Sequence, residues 1–324
     1  MKAIQINEDK SLTWADVADP VCGEDEVMIE VKATAINRAD IMQIAGLYPP
    51  PPGASEVPGL ECAGVIRAVG SGVSNWQPGD AVCALLSGGG YAETVVCKAS
   101  HCLPVPRGFS FTEAAALPEV FATAWLNIFM LGGATASDNV MIHAGASGVG
   151  TAAIQLCNAF DLPCFVTVGS EAKLAACQQL GANGGHIRHQ GDFLDAAKAF
   201  TGGRGFNVIL DPVGGQYLES NLKSLATDGS LVIIGLMGGR SANLDIGRLL
   251  VKRLRVIGST LRSRSDADKS SLISELRETV WPHFDARTLK PIIHSEYPIA
   301  DVNTAIAEVK GNETVGKVIL KVVE

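Results

Sequence analysis

No C-x-x-C pair occurs in the 324 residues, and the eight cysteines are too few for a disulfide scaffold. No run of five basic residues exists, and 26 Lys plus Arg against 34 Asp plus Glu leaves a net charge of −8. Nucleic-acid binding by phosphate neutralisation is disfavoured on that count. The opening MKAIQINEDK lacks a basic segment followed by an apolar one, so no secretory signal is visible. The most apolar stretch, 114–136, is interrupted by Pro118, Glu119, Asn127 and the Gly132-Gly133 pair. It reads as buried globular structure and not as a membrane span. Reduced thiols and a cytoplasmic setting are therefore expected.

Glycine is abundant where proline is not, with 35 Gly and 15 Pro. In a chain that is 47% hydrophobic and 19% charged, excess glycine means tight turns and close backbone approaches, not disorder. Length suggests two domains. The tightest group of potential metal ligands is Cys97, His101 and Cys102. A zinc site needs three or four converging ligands, so these are expected to be structural and no metal is expected.

The first third reads as β. Residues 26–34 alternate apolar and polar, 64–69, 81–86 and 92–96 are further strand candidates, and turn clusters lie between them. This spacing suggests an antiparallel barrel. A helix is expected to begin at 112–117. After Ser137 the pattern alternates: strand 139–143, helix 148–160, strand 163–168, helix 170–180 ended by Gly181, then strands at 206–211, 230–235 and 255–258. That is a doubly wound parallel sheet, an α/β fold. A helix at 299–310 and a strand at 317–323 close the chain. The expected organisation is a first part at 1–118, an inserted nucleotide-binding domain at 119–258, and a return segment at 259–324.

An apolar strand runs into Ala144-Gly145-Ala146-Ser147-Gly148-Val149-Gly150 and then into a helix. Phosphates need this arrangement, because absent side chains let backbone N–H groups reach the anion and the helix start adds partial positive charge. The spacing G-x-x-G-x-G is not the strict fingerprint, so the strand-loop-helix context carries the dinucleotide reading. An NAD site usually has an acid about 20 residues on, at the end of the second strand. Here Gly169 and Ser170 stand in that place, with Lys173 one helical turn further and Arg188 after the third strand. A hydroxyl and two cations suit a 2′-phosphate, so NADP(H) is expected as the cofactor. Gly214-Gly215 and the run Gly235-Leu236-Met237-Gly238-Gly239 follow later strands and are expected at the same site.

Together, Asn37-Arg38-Ala39-Asp40, Pro58-Gly59-Leu60-Glu61, Trp76-Gln77-Pro78-Gly79-Asp80, Gly90-Tyr91-Ala92-Glu93, the glycine loop and Gly316-Lys317 resemble the medium-chain dehydrogenase/reductases over essentially the whole chain. Within them, the run 37–61, the segment 235–239 and Leu261-Arg262-Ser263-Arg264 resemble the zeta-crystallin-like quinone oxidoreductases, in particular the stress-induced NADPH quinone oxidoreductases of animals. Zinc members of the family carry Cys and His ligands where Asn37 and Leu60 stand here, and neither replaces a thiolate or an imidazole. The four-cysteine structural loop of those members is also missing.

The resemblance implies a Rossmann sheet inserted into a GroES-like barrel domain, a cleft between domains, and a homodimer. It implies zinc-free reduction of a quinone by NADPH. Asn37 and Thr123 match positions near the nicotinamide. Tyr48 matches a tyrosine of the acceptor pocket, able to stack on a flat ring or donate a proton. Ser147 is expected to help hold the cofactor. Leu261, Arg262 and Lys317 are counted with the cofactor residues, and Tyr48, Ser147 and Asn37 with the catalytic ones. The expected partner is a small-molecule quinone or conjugated carbonyl, with no nucleic acid and no membrane. Two alternatives stay open: a reductase of alkenals, enones or enoyl thioesters, and a non-enzymatic NADPH-binding protein.

Overall fold

A computed structural model describes residues 1–322. Val323 of the expected last strand lies outside the described residues. The strands in chain order are β1 Lys2–Ile6, β2 Leu12–Asp16, β3 Glu26–Ala35, β4 Glu61–Val69, β5 Ala81–Leu85, β6 Thr94–Lys98, β7 Cys102–Pro104, β8 Val140–His143, β9 Cys164–Val168, β10 Gly184–Ile187, β11 Phe206–Asp211, β12 Leu225–Ile233, β13 Arg255–Gly258, β14 Ile293–Pro298 and β15 Lys317–Lys321. The helices are α1 Arg38–Ile44, α2 Phe111–Ala114, α3 Pro118–Trp125, α4 Gly148–Ala159, α5 Glu171–Gln179, α6 Leu194–Phe200, α7 Leu218–Ser224, α8 Ile246–Val251, α9 Asp266–Glu275, α10 Trp281–Asp285 and α11 Val302–Gly311.

The chain divides into two compact units. One is Met1–Ala122 together with the chain from Leu261 onward, and the other is Thr123–Thr260. The sequence expectation placed these boundaries at 118/119 and 258/259. The first crossing falls inside α3, a helix with no glycine or internal proline to mark a break, which explains the offset. The segment Phe111–Leu131 is long and apolar enough to cross a membrane, yet 78% of its most apolar window is buried within the protein.

In the first unit, β3 is the organising strand. It pairs antiparallel with β4, β6 and β15, and the main sheet runs β14-β15-β3-β4-β5-β7. Its burial alternates strictly from Val27 to Val31, as the sequence pattern requires for a strand with one face on the core. That face packs with Cys62, Ile66, Val82 and Val95 in one cluster, while β1, α1 and α11 share a second cluster around Tyr91 and Val302. The strand expected at 92–96 forms at Thr94–Lys98 instead, because Ala92 makes an isolated bridge to Ala3 before the ladder with β3 begins.

The second unit is a six-stranded all-parallel sheet in the order β10-β9-β8-β11-β12-β13. This is the doubly wound order with a switch point at β8 and β11, beside which ligands bind in open sheets. Val140, Met141 and Ile142 of β8 are wholly buried, as expected of a central parallel strand covered on both faces. β12 starts at Leu225, five residues before the expected strand, and runs past a register shift opposite β11.

One glycine fixes the start of β15. Gly316 has φ +83°, and a Cβ placed there would lie 2.1 Å from the Ile292 carbonyl oxygen. Gly316→Ala therefore combines left-handed strain with a backbone clash. It should destabilise the protein by about 2 kcal/mol or more. Urea denaturation checks this, and a loss near zero would show that β15 can start without glycine.

Candidate active site

The β3 pairings bring three distant residues together at one end of the sheet. β3 ends at Ala35, opposite Ile319 of β15, while Thr34 faces Cys62 of β4. Asn37, Glu61 and Lys317 therefore converge just beyond the paired residues. Lys317 Nζ donates to Glu61 Oε1 at 2.8 Å, Asn37 Oδ1 at 2.7 Å and the Ile36 carbonyl at 2.9 Å. An ammonium has three donors, and all three are engaged. Asn37 Nδ2 donates to Glu61 Oε1 at 2.8 Å, so both ends of its amide are taken. Glu61 Oε2 accepts from the Glu119 backbone N–H at 2.8 Å, which pins the start of α3 to the site.

Asp40, one turn into α1, is fully buried. Its carboxylate accepts from the backbone N–H of Asn37 (2.8 Å) and of Gly59 (3.1 Å) and from the Tyr91 hydroxyl (3.0 Å). Burial still pushes its pKa up to about 6, against those hydrogen bonds and Lys317. Glu119 is half-buried as a residue, but its Oε2 is sheltered from solvent and has no hydrogen-bond partner. Burial, then the Glu61 charge, push its pKa up to about 8, with Lys317 and Lys269 opposing. Sequence reasoning had treated Glu119 only as an interruption of an apolar run. The signal available was an acid inside such a run, which is rarely buried without a reason.

Tyr48 lies in the same unit, half-buried, with the Arg262 guanidinium 5.6 Å from its ring centroid. Burial raises the phenol's pKa, and the Glu119 charge raises it further. Arg262 was expected at the cofactor. Here its three nitrogens donate to the Ser87 carbonyl (2.8 Å), the Tyr48 carbonyl (3.4 Å) and Gln43 Oε1 (2.8 Å). Its geometry is that of a clamp holding the Tyr48 loop. Lys269 of α9 is buried and donates to Ser87 Oγ at 2.6 Å. Leu261 is buried beside Arg262 in the chain.

The glycine loop of the second unit lies at the carboxyl end of β8. Ala144 takes a left-handed φ of +54°, and a Cβ on Gly150 would come within 2.5 Å of the Ala144 and Gly145 carbonyl oxygens. Gly150 is what lets α4 start against the loop. A Cβ on Gly145 would meet Val166 of β9 at 2.7 Å. The first amides of α4, at Gly148 and Val149, are those a helix start leaves for an anion. Ser147 caps the helix, its Oγ accepting from the Gly150 N–H at 3.0 Å. Ser170 caps α5 the same way, accepting from the Lys173 N–H. Either hydroxyl keeps its own hydrogen to donate. Arg188 comes within 3.6 Å of where a Gly169 Cβ would lie, so Gly169, Ser170, Lys173 and Arg188 gather at the ends of β9 and β10. These residues fit the pyrophosphate and 2′-phosphate of an NADP(H) molecule.

The two later glycine groups pack against each other. Gly215 N–H donates to the Gly239 carbonyl, Gly238 N–H to the Val213 carbonyl, and a Cβ on Gly235 would meet the Pro212 carbonyl at 2.6 Å. These glycines pack two loops on each other, and Leu236 and Met237 are left exposed. Thr123 is buried at the start of the unit, its carbonyl accepting from Asn127 Nδ2.

A further polar network was not foreseen. His143, the last residue of β8, faces Thr167 Oγ1 at 2.8 Å and Asn221 Oδ1 at 2.7 Å, and Asn221 donates to Asp211 at 3.0 Å. Because Asn221 Nδ2 serves Asp211, its Oδ1 must accept from His143 Nε2, so Nδ1 accepts from Thr167. Burial holds the His143 pKa below its ordinary value, consistent with a neutral ring. Asp211 in turn accepts from the Val213 and Gly214 N–H groups. The network ties together the strand ends that carry the glycine loop, the β9 turn and the Asp211 loop.

Residues 23–107 match the family described as alcohol dehydrogenase GroES-like domain, and residues 148–277 match the one described as zinc-binding dehydrogenase. The chain belongs to the medium-chain dehydrogenase/reductase superfamily. Its relatives in that superfamily include a rat quinone oxidoreductase, 29% identical over 94% of this chain and 92% of that one. A zebrafish synaptic vesicle membrane protein VAT-1 homolog is 30% identical over 93% of this chain, and a highly-reducing polyketide synthase of Aureobasidium melanogenum 32% identical over 96%. The chain spans only 65% of the zebrafish protein and 14% of the synthase. Among solved structures, an Escherichia coli quinone oxidoreductase complexed with NADPH superposes with a TM-score of 0.87 at 26% identity, covering 99% of this chain and 98% of that one. CurK enoyl reductase superposes at 0.86 and 28% identity, with 99% and 98% covered. The fold is the superfamily's, a GroES-like unit with a Rossmann unit inserted.

Lys317→Met leaves the Glu61 carboxyl buried without its cation, and such breaks cost about 3–5 kcal/mol. The double variant Glu61→Gln with Lys317→Met should recover part of that loss, since replacing a buried pair by neutral groups is often nearly neutral. Denaturation of both variants checks the pair, and a single-variant cost below about 1 kcal/mol would mean the bridge contributes no more than a surface pair.

Proposed function

We propose that the chain is an NADPH-dependent, zinc-independent oxidoreductase that reduces a quinone. The observation that carries this reading is the donor set at Asn37. The amide is engaged by Lys317 and Glu61, and the ammonium already supplies the positive charge that a metal ion would bring there. Among the described residues, no three His, Cys, Asp or Glu side chains are grouped to hold a metal ion, and Cys97, His101 and Cys102 do not converge on one. His101 turns instead to the Asp266 carbonyl, while the two thiols face each other at 3.6 Å. An amide and an ammonium at this position suit an acceptor that is already electrophilic.

The cofactor is NADP(H), which supplies a hydride when bound. Gly145, Ala146, Ser147, Gly148, Val149 and Gly150 hold its pyrophosphate, and Ser170, Lys173 and Arg188 its 2′-phosphate. Tyr48, braced by Arg262, lines the acceptor site, where its ring stacks on a planar substrate. The rat and Escherichia coli relatives named quinone oxidoreductases favour a quinone. CurK enoyl reductase and the polyketide synthase favour a second reading, reduction of an enone or enoyl thioester. A homodimer fits the exposed edge strand β13, and free cysteines fit a cytoplasmic setting.

Steady-state rates with NADPH and NADH, on a matched quinone and enone, test this. NADPH should be preferred, chelators should have no effect, and the quinone should turn over faster. Lys173→Ala with Arg188→Ala should raise KM for NADPH about 10- to 100-fold, from the loss of charge-assisted contacts, and leave NADH nearly unchanged. Equal use of both cofactors by the wild type would overturn the 2′-phosphate assignment.

A further inference from the structure

Three carboxyl groups gather at the end of β3, and two of them are satisfied. Glu61 has Lys317 and the Glu119 N–H, and Asp40 has three donors. Among the described residues, Glu119 has neither a cation within ion-pair distance nor a hydrogen-bond partner for its sheltered Oε2. Its position is nonetheless fixed, because its own backbone N–H is held by Glu61. A carboxyl placed among other acids, with one oxygen sheltered from solvent and given no donor, is one the fold favours as the neutral acid, with an O–H to offer.

Resting on the acceptor-site reading above, we propose that Glu119 donates the proton that completes reduction of the acceptor. The charged and titratable groups around it are Glu61 from β4, Asp40 from α1, Lys317 from β15, Lys269 from α9, and Tyr48 with Arg262. Reduction adds two electrons and one hydrogen to the acceptor as hydride, and leaves a carbanion, enolate or hydroquinone anion. The Glu119 O–H bond breaks as the new O–H or C–H bond forms. The carboxylate left behind regains its proton from water. The raised pKa of about 8 places this acid where it is protonated at neutral pH yet still a competent donor. Tyr48, which the resemblance made able to stack on a ring or donate a proton, is a weaker acid, and burial makes it weaker still.

Glu119→Gln keeps the shape and removes the acid. In the wild type loaded with NADPH, kcat/KM for the acceptor should fall as pH rises through about 8. In the variant that limb should vanish and the rate at pH 7 should fall about 100-fold or more, with NADPH binding by fluorescence unchanged. Two readouts need no turnover. The infrared carbonyl stretch of a protonated carboxylic acid should be present at pH 7, lost by pH 9 and absent in the variant. Stability should respond too, because a folded state that holds an extra proton loses stability as pH rises from about 4 towards about 8. Urea midpoints should therefore fall more steeply with pH in the wild type than in the variant. An active wild type with an equally active Glu119→Gln, or loss of the alkaline limb in Tyr48→Phe alone, overturns this inference and leaves the reductase reading standing. A wild type that reduces no acceptor overturns both. Absence of the infrared band at pH 7 overturns the proton donor directly.

Discussion

One buried ammonium organises the first unit. Lys317 is 4% exposed and its partner Glu61 is wholly buried, so neither charge can be relieved by water. A single cation balances a single carboxylate. The other two acids nearby must be accommodated differently: Asp40 by three hydrogen bonds, Glu119 by keeping its proton. Their separation in proton affinity follows from that division, and pairs of acids pushed apart by environment are the usual sign of assigned chemical roles. The pair also has a topological role. It links β15, contributed by the return segment, to β4, contributed by the first part, at the place where both flank β3.

The second unit solves a related problem with neutral groups. Three loops must end near one another at the carboxyl edge of a parallel sheet, and His143, Thr167, Asn221 and Asp211 join the strands that carry them. A charged imidazole would need desolvation at that depth. Using the neutral ring with both nitrogens engaged gives rigidity at little electrostatic cost. Gly150 and Gly145 then let the backbone approach closely enough for the amides, not the side chains, to face an anion.

The fold was largely legible because its signals are local. Apolar strands β8, β9 and β11, the small residues after β8 and the turn at Gly181 each declare themselves within a dozen residues. The proposed 2′-phosphate residues Ser170, Lys173 and Arg188 were chosen by charge logic along one crossover. The carboxyl cluster was not, because Asp40, Glu61, Glu119 and Lys317 come from four separate stretches, and only the pairing register of β3 with β4 and β15 brings them together. For the same reason Lys317 and Arg262 were counted from sequence only among the cofactor residues. The Lys317 ammonium proves to be fully engaged within its own unit, and each Arg262 nitrogen makes one hydrogen bond there, something no spacing along the chain reveals.

Arg262 and Lys269 set the electrostatics at this end of the first unit. Both are buried and neither touches a carboxylate, so burial lowers both pKa values while their remaining field acts on whatever lies near. Arg262 eases ionisation of Tyr48 and Lys269 that of Glu119, each against a larger opposing effect of burial. Under the proposed function, the cations Arg262 and Lys269 beside the Glu119 acid are the preorganised chain groups that stabilise negative charge developing on a conjugated carbonyl as hydride adds to it.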